Sequence, residues 1–313
     1  MVARVGIVGT GWVGASVAIS TLHAGLADEL LLHDVRPGLA EGEAMDLAHG
    51  AAFRPSCAVR VADPDGMREA DVVVIAAGRG GRAGESRLAL LRDNAGVAAA
   101  LGRRLAGFGG TVVVVSNPVD VLVRVIVEAS GLPPARVIGT GTMLDTARLR
   151  QMLGERLGLA PASLHAQVVG EHGDSEVVLW SGARAGGVPL RDWPGWTPED
   201  ETRIGHDVRV AAYEIIRRKG ATNHAIGLVT ASLLRALLRD ERRVLDVSRV
   251  QVGVPGLDGV ALSLPTVVGA GGATTVVAPA MDDTERAALE RSAQVLREAR
   301  DALGDLPAGG PPP

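Results

Sequence analysis

Two hydrophobic rhythms divide the chain. Through residue 142, short unbroken apolar runs alternate with stretches whose apolar positions recur every third or fourth residue. The runs at residues 4–8 (RVGIV), 30–32, 58–61, 71–77 (DVVVIAA), 111–115 (TVVVV) and 136–138 predict strands, and residues 15–26, 41–50, 88–108 and 119–130 predict helices. A strand that is apolar without alternation is buried on both faces, as in a parallel sheet covered by helices. Strand and helix in turn therefore predict an α/β fold built on an N-terminal doubly wound parallel Rossmann sheet. From about Met143 the rhythm changes. Helices at 144–157, 199–219, 225–239 and 283–303 mix with strands that read as antiparallel, at 164–169, 244–252, 259–268 and 274–277. The expected division is a dinucleotide-binding domain at 1–142, a C-terminal mixed α+β catalytic domain at 143–305, and a disordered tail at 306–313. Asp282 and Glu285 form a capping-box pattern at the start of the last helix.

Composition removes some functions. With 47% hydrophobic and 22% charged residues over 313 positions, the chain can bury an ordinary core. A net charge of −4 gives no electrostatic case for nucleic acid or an anionic membrane. Cys57 is the only cysteine, so no intrachain disulfide can form, which fits a reducing compartment. No leader pattern opens the chain, and no run approaches the ~20 apolar residues of a membrane helix. The expectation is a soluble cytoplasmic protein that needs no metal.

The first predicted strand runs directly into Gly9-Thr10-Gly11-Trp12-Val13-Gly14, and the second ends near Asp34. This is the G-x-G-x-x-G fingerprint in its strand–turn–helix context. Its glycines let backbone amides approach a pyrophosphate, and the acid takes the ribose hydroxyls. The alternative is a glycine turn in some other α/β domain. Residues 78–87 (GRGGRAGESR) form a loop after a parallel strand, where ligand crevices lie, or else a plain solvated loop. Asn117 follows another strand toward the same crevice.

A second cluster of chemistry lies between residues 139 and 178. Asp145 and Arg148 are spaced i, i+3 on one helix face, and His172 sits in Gly170-Glu171-His172-Gly173-Asp174. A histidine oriented by a carboxylate is a general acid/base with a pKa near working pH. The same spacing also occurs in a surface ion pair beside an unrelated loop histidine. Thr222-Asn223-His224, between two helical patterns, either lines a site or caps a helix.

Taken in order, these motifs resemble the NAD-dependent L-lactate/malate dehydrogenase family, its bacterial L-lactate dehydrogenases most of all. The resemblance runs from about Arg4 to Leu303 through GTGWVG with Asp34, GEAMDLAHG at 42–50, GESR at 84–87 and SNPVD at 116–120. It continues through GTMLDTARLR at 141–150, HAQVVGEHGDSEV at 165–177 and KGATNHAIG at 219–227. It implies NAD as cofactor, with Gly9, Gly11, Val13, Gly14, Asp34, Gly78, Asn94, Ser116, Asn117 and Ile226 around it. It implies His172 as acid/base, Asp145 as its partner and Arg87 as the group that polarises the substrate carbonyl. Arg148 would clamp the substrate carboxylate, with Asn117 and Thr222 also lining the substrate. It further implies a homotetramer (a dimer being the alternative) and fructose 1,6-bisphosphate as an effector bound by Arg150 and His165.

One position departs from the family. Gly81 stands where lactate dehydrogenases carry glutamine and malate dehydrogenases arginine, and Ala83 replaces the usual proline. A second substrate carboxylate needs a cation in a desolvated pocket. Gly81 offers none, though Arg82 or Arg79 stands near in sequence. Glu85, where malate enzymes usually carry methionine, and Thr222 also favour lactate. The expected substrate is lactate/pyruvate, with malate/oxaloacetate and a bulkier 2-hydroxy acid as alternatives. A protein that binds NAD without turning it over is the alternative of a different class.

Overall fold

The computed structural model describes residues 2–80 and 87–305, the side chain of Arg87 excepted. Gly81, Arg82, Ala83, Glu85, the Arg87 side chain and the expected tail from residue 306 lie outside the described residues. The first half alternates as its pattern predicts: β1 (Arg4–Val8), α1 (Trp12–His23), β2 (Glu29–His33), α2 (Pro37–His49), β3 (Ala58–Val61), β4 (Val72–Ile75), α3 (Arg87–Arg104), β5 (Thr111–Val114), α4 (Val119–Ser130) and β6 (Val137–Gly139). Helix α2 starts four residues before its predicted position because Pro37 fits the first helical turn, where no N–H is required.

The second half comprises α5 (Met143–Leu157), β7 (Leu164–His165), β8 (Val168–Val169), β9 (Val177–Val178), β10 (Arg184–Ala185) and β11 (Val188–Pro189). There follow α6 (Pro198–Lys219), α7 (His224–Leu238), β12 (Arg243–Val250), β13 (Ala261–Gly269), β14 (Gly272–Val276) and α8 (Asp283–Asp301). Asp282 and Glu285 do form the capping box of α8, each side chain accepting the other's backbone N–H at 2.9 Å. The strand expected at 164–169 is instead two short ones. Where one strand would have continued into the next, α5 side chains take backbone groups: Arg150 Nε donates to the Ala166 carbonyl at 3.0 Å, and Thr146 Oγ1 accepts the N–H of Val168, the first residue of β8, at 3.0 Å.

The six strands of the first half are parallel, and β12, β13 and β14 extend them without a break. The order is β14-β13-β12-β6-β5-β4-β1-β2-β3. The join is antiparallel, Ser248 of β12 beside Gly139 of β6. A Cβ at Gly139 would strike Val119, Val123 and Ser248, so glycine is what lets these layers close. One face of the sheet packs α3, α4 and α8 through residues such as Ala95, Leu122, Ile126 and Leu289; the other packs α1 and α7 through Val17, Leu22, Leu233 and Leu234. Gly227 of α7 touches α1 so closely that a Cβ would meet the Ser16 carbonyl. A third cluster, with Leu149, Leu153, Ile204 and Val208, joins α5 to α6. Among the described residues no helix is long and apolar enough to cross a membrane.

Candidate active site

The parallel strands deliver their loops to one edge of the sheet. After β1 the chain turns on Gly9, whose φ of +92° suits glycine, and enters α1 at Trp12. A Cβ at Gly14 would run into the Gly9 carbonyl, whereas one at Gly11 would meet nothing within 4 Å. Gly9 and Gly14 shape the turn; Gly11 instead leaves space in front of it. The start of α1 has no side-chain cap, so its first amides point out uncapped, as anion-binding helix ends do. Asp34, after β2, accepts the Thr10 N–H at 2.9 Å and the Arg36 N–H at 3.0 Å. Burial pushes its pKa up, but these amides and the Arg36 guanidinium outweigh that and hold it below the usual carboxylate range. A cavity of about 360 Å3, bordered by Gly9, Gly11, Asp34, Ala77, Gly78 and Arg79, opens beside them. An open cradle, uncapped amides and an ionised acid fit a dinucleotide.

Other predicted cofactor positions hold the crevice in shape. Asn94, 4% exposed, accepts the Arg79 N–H at 3.0 Å and donates to the Asn117 carbonyl at 2.9 Å. Ser116 Oγ donates to the Ala77 carbonyl at 2.6 Å. Asn117 is exposed at the entrance to α4 and precedes a cis Pro118. Val13 and Ile226 are partly buried against the same core, and Thr222 is half-buried just before α7.

Asp145 and His172 meet across the fold. His172 Nδ1 is 2.6 Å from Asp145 Oδ2, and Arg148 Nη1 donates to Asp145 Oδ1 at 2.7 Å. Asp145 is 2% exposed, so both oxygens of a buried carboxylate serve cations. Burial alone would neutralise Asp145, yet the imidazolium and guanidinium keep it ionised below its ordinary value. Burial likewise opposes a charged His172, but the Asp145 carboxylate, with the Asp120 charge behind it, pushes the imidazole up to about 9. The His172 loop is pinned from several sides. Gly170 exchanges both backbone hydrogen bonds with Ser263 of β13 at 2.9 Å, Glu171 N donates to Ser292 Oγ of α8 at 2.8 Å, and His172 N donates to Asp120 Oδ2 of α4 at 2.7 Å. A protonated imidazole with Nε2 outward, beside a guanidinium, can donate a proton to an oxygen while a carboxylate is held next to it.

Two acids in this region carried no role in the sequence. Asp120 was visible as the last residue of the SNPVD motif and as a carboxylate in the otherwise apolar start of α4, VDVLV. Glu176 is 5% exposed, and burial, then the Asp145 charge, pushes it up to about 8, so it is neutral at pH 7. Its signal was an acid ahead of Val-Val-Leu-Trp. Arg150 and His165 lie on α5 and β7; the Arg150 guanidinium is half-buried and His165 is exposed.

Comparison with known proteins agrees with this geometry. The model of the lactate/malate dehydrogenase NAD binding domain matches residues 3–139, and that of the lactate/malate dehydrogenase alpha/beta C-terminal domain matches residues 142–303. The chain is 45% identical over 308 residues to an L-lactate dehydrogenase of Thermus aquaticus, which covers 96% of this chain and 99% of the relative. It is 44% identical over 300 residues to one from Synechococcus sp. (strain JA-3-3Ab), covering 95% and 98%. A minor L-lactate dehydrogenase from Enterococcus mundtii, solved in a ligands-bound form, superposes with a TM-score of 0.94 at 36% identity, covering 96% and 98% of the two chains.

Proposed function

The chain belongs to the lactate/malate dehydrogenase family, and from that premise we propose that it is an NAD-dependent L-lactate dehydrogenase interconverting a 2-oxo and a 2-hydroxy acid. The observation that carries this reading is the buried Asp145 shared by His172 and Arg148, set at the same sheet edge as the glycine cradle. The Gly9–Gly14 turn, Asp34 and Ile226 would hold the cofactor, which supplies or accepts a hydride when bound. His172 gives its Nε2 proton to the carbonyl oxygen as that oxygen gains charge, and Asp145 stabilises the imidazolium beforehand. Arg148 presents its remaining N–H groups to the substrate carboxylate, a fork that lysine lacks. Arg87 would polarise the carbonyl, with Asn117 and Thr222 completing the substrate wall. The domain division falls at residues 142 and 143.

Gly81 carries no side chain where relatives carry glutamine or arginine, so longer substrates are expected to gain about 0.8 kcal/mol per buried methylene. Absorbance loss of NADH with a panel of 2-oxo acids tests the whole reading. The expected order is broad acceptance of small monocarboxylates, pyruvate included, with oxaloacetate poor. Much faster oxaloacetate reduction would instead assign Arg82 to a second carboxylate, and no turnover at all would leave an NAD-binding protein. We place the enzyme in the cytoplasm as a homotetramer. Arg150 and His165 would bind fructose 1,6-bisphosphate between subunits; sedimentation and substrate affinity unmoved by that ligand would remove this part of the proposal.

A further inference from the structure

One buried carboxylate beside the site has no role in the reaction proposed above. Asp120 lies in the first turn of α4 and is 2% exposed. Its Oδ2 accepts the His172 backbone N–H at 2.7 Å, so that residue is held by two carboxylates, Asp145 on the ring and Asp120 on the main chain. Its Oδ1 has no hydrogen-bond partner among the described residues, and Asp120 borders a cavity of about 330 Å3 between α4, the turn before β13, and α8. A neutral amide would hold the same N–H without the cost of burying a charge. The charge itself is therefore the feature to explain.

We infer that Asp120 is a positioning residue whose buried charge, acting through the His172 loop, supports the protonated imidazole that donates to substrate. The inference rests on His172 being the acid/base. Around His172 the titratable groups are Asp145 and Arg148 from α5, Asp120 from α4 and, from its own loop, Glu176, which burial pushes up to about 8. Around Asp120 they are His172 and Glu171, then Arg124, Asp258, Arg297, Arg300 and Asp301 across the cavity. Those arginines are committed elsewhere. Arg124 and Arg300 share Glu128, at 2.6 and 2.7 Å, and Arg297 donates to the Gly256 carbonyl at 2.6 Å. The imidazolium is thus the charge Asp120 most directly serves. Burial pushes the Asp120 carboxyl up to about 6, so its support is present above that pH and withdrawn below it, while the Asp145 contact remains.

The test is an NMR titration of the His172 imidazole in the intact enzyme, its resonance identified by its loss in His172→Asn. Asp120→Asn keeps an acceptor for the His172 N–H and removes the charge. Its His172 midpoint should fall by about one pH unit, the effect of a buried neighbouring charge. The pH at which 2-oxo acid reduction declines should fall with it, while NADH affinity stays native. Asp120→Ala, lacking charge and acceptor, should in addition lose on the order of tenfold in kcat, part of which Asn restores, as expected for one charge-assisted hydrogen bond. An unmoved midpoint in Asp120→Asn overturns the inference. Should that variant not fold, the native His172 resonance must itself inflect near the Asp120 titration at about 6, and a flat response there overturns it equally. A wrong acid/base assignment shows differently, as native turnover in His172→Asn.

Discussion

The dinucleotide crevice and the His172 pocket sit at the same edge of one sheet, yet they are made of different material. In the proposed crevice the main chain would do the recognition: Gly9, Gly11 and Gly14 contribute shape, and one ionised acid, Asp34, contributes charge. In the proposed catalytic pocket the main chain only positions, and side-chain charge would do the chemistry: Asp145 is bonded to His172 and Arg148, with Asp120 behind the loop. A backbone cradle tolerates substitution wherever a Cβ finds space and fails where it meets a carbonyl. A buried charge cluster fails when any one charge is left without its partner.

The most severe way to separate the two is to remove the proposed proton donor. His172→Asn should cost on the order of 10²–10⁴ in turnover while NADH binding, followed by fluorescence, stays native. Loss of NADH binding in that variant would mean the two regions are not independent. Next in size, Arg148→Lys should raise the substrate KM on the order of ten- to hundredfold, the worth of one or two charge-assisted hydrogen bonds. It leaves Asp145 a cation, so kcat should move less than KM. On the cofactor side, Gly11→Ala and Gly14→Ala should diverge. Gly11→Ala places its methyl in open space, so the thermal midpoint holds while NADH binds on the order of tenfold more weakly, one hydrogen bond's worth. Gly14→Ala collides with Gly9 in the chain itself, so its thermal midpoint falls as well. Equal midpoints for the two would refute the division of labour among the glycines.

The smallest effect is that of pH. His172 is raised to about 9, so the proposed proton donor is loaded through neutral pH, and 2-oxo acid reduction should fall only as pH passes that value. The linked stability has the same sign. It is fully present below the ordinary imidazole range and lost as pH rises through about 9. Melting temperatures of the native protein and His172→Asn should therefore converge at high pH.

The crevice was legible in the sequence because its determinants are contiguous: six residues, a strand before, a helix and an acid after. The elements of the proposed catalytic pocket could be read as candidates too, since Asp145 and Arg148 share a helical face. The meeting of Asp145 with His172 was not readable from spacing alone, because it depends on how α5 packs against the loop after β8. Asp120 escaped for the same reason. In α4 it interrupts an apolar face, and only the tertiary structure shows that a backbone N–H from residue 172 fills its Oδ2. The run at 164–169 misled because its apolar residues look like one strand, while Arg150 and Thr146 take over its central hydrogen bonds.

The Gly139–Ser248 join has a consequence for biosynthesis. When the first half of the chain leaves the ribosome, β6 is the outer strand of a sheet that is not yet finished, and the strand that will cover it begins only at Arg243. An uncovered strand edge is a template for pairing with another chain. Until β12 arrives, the nascent dinucleotide-binding half is thus a candidate client for chaperones that shield open sheet edges.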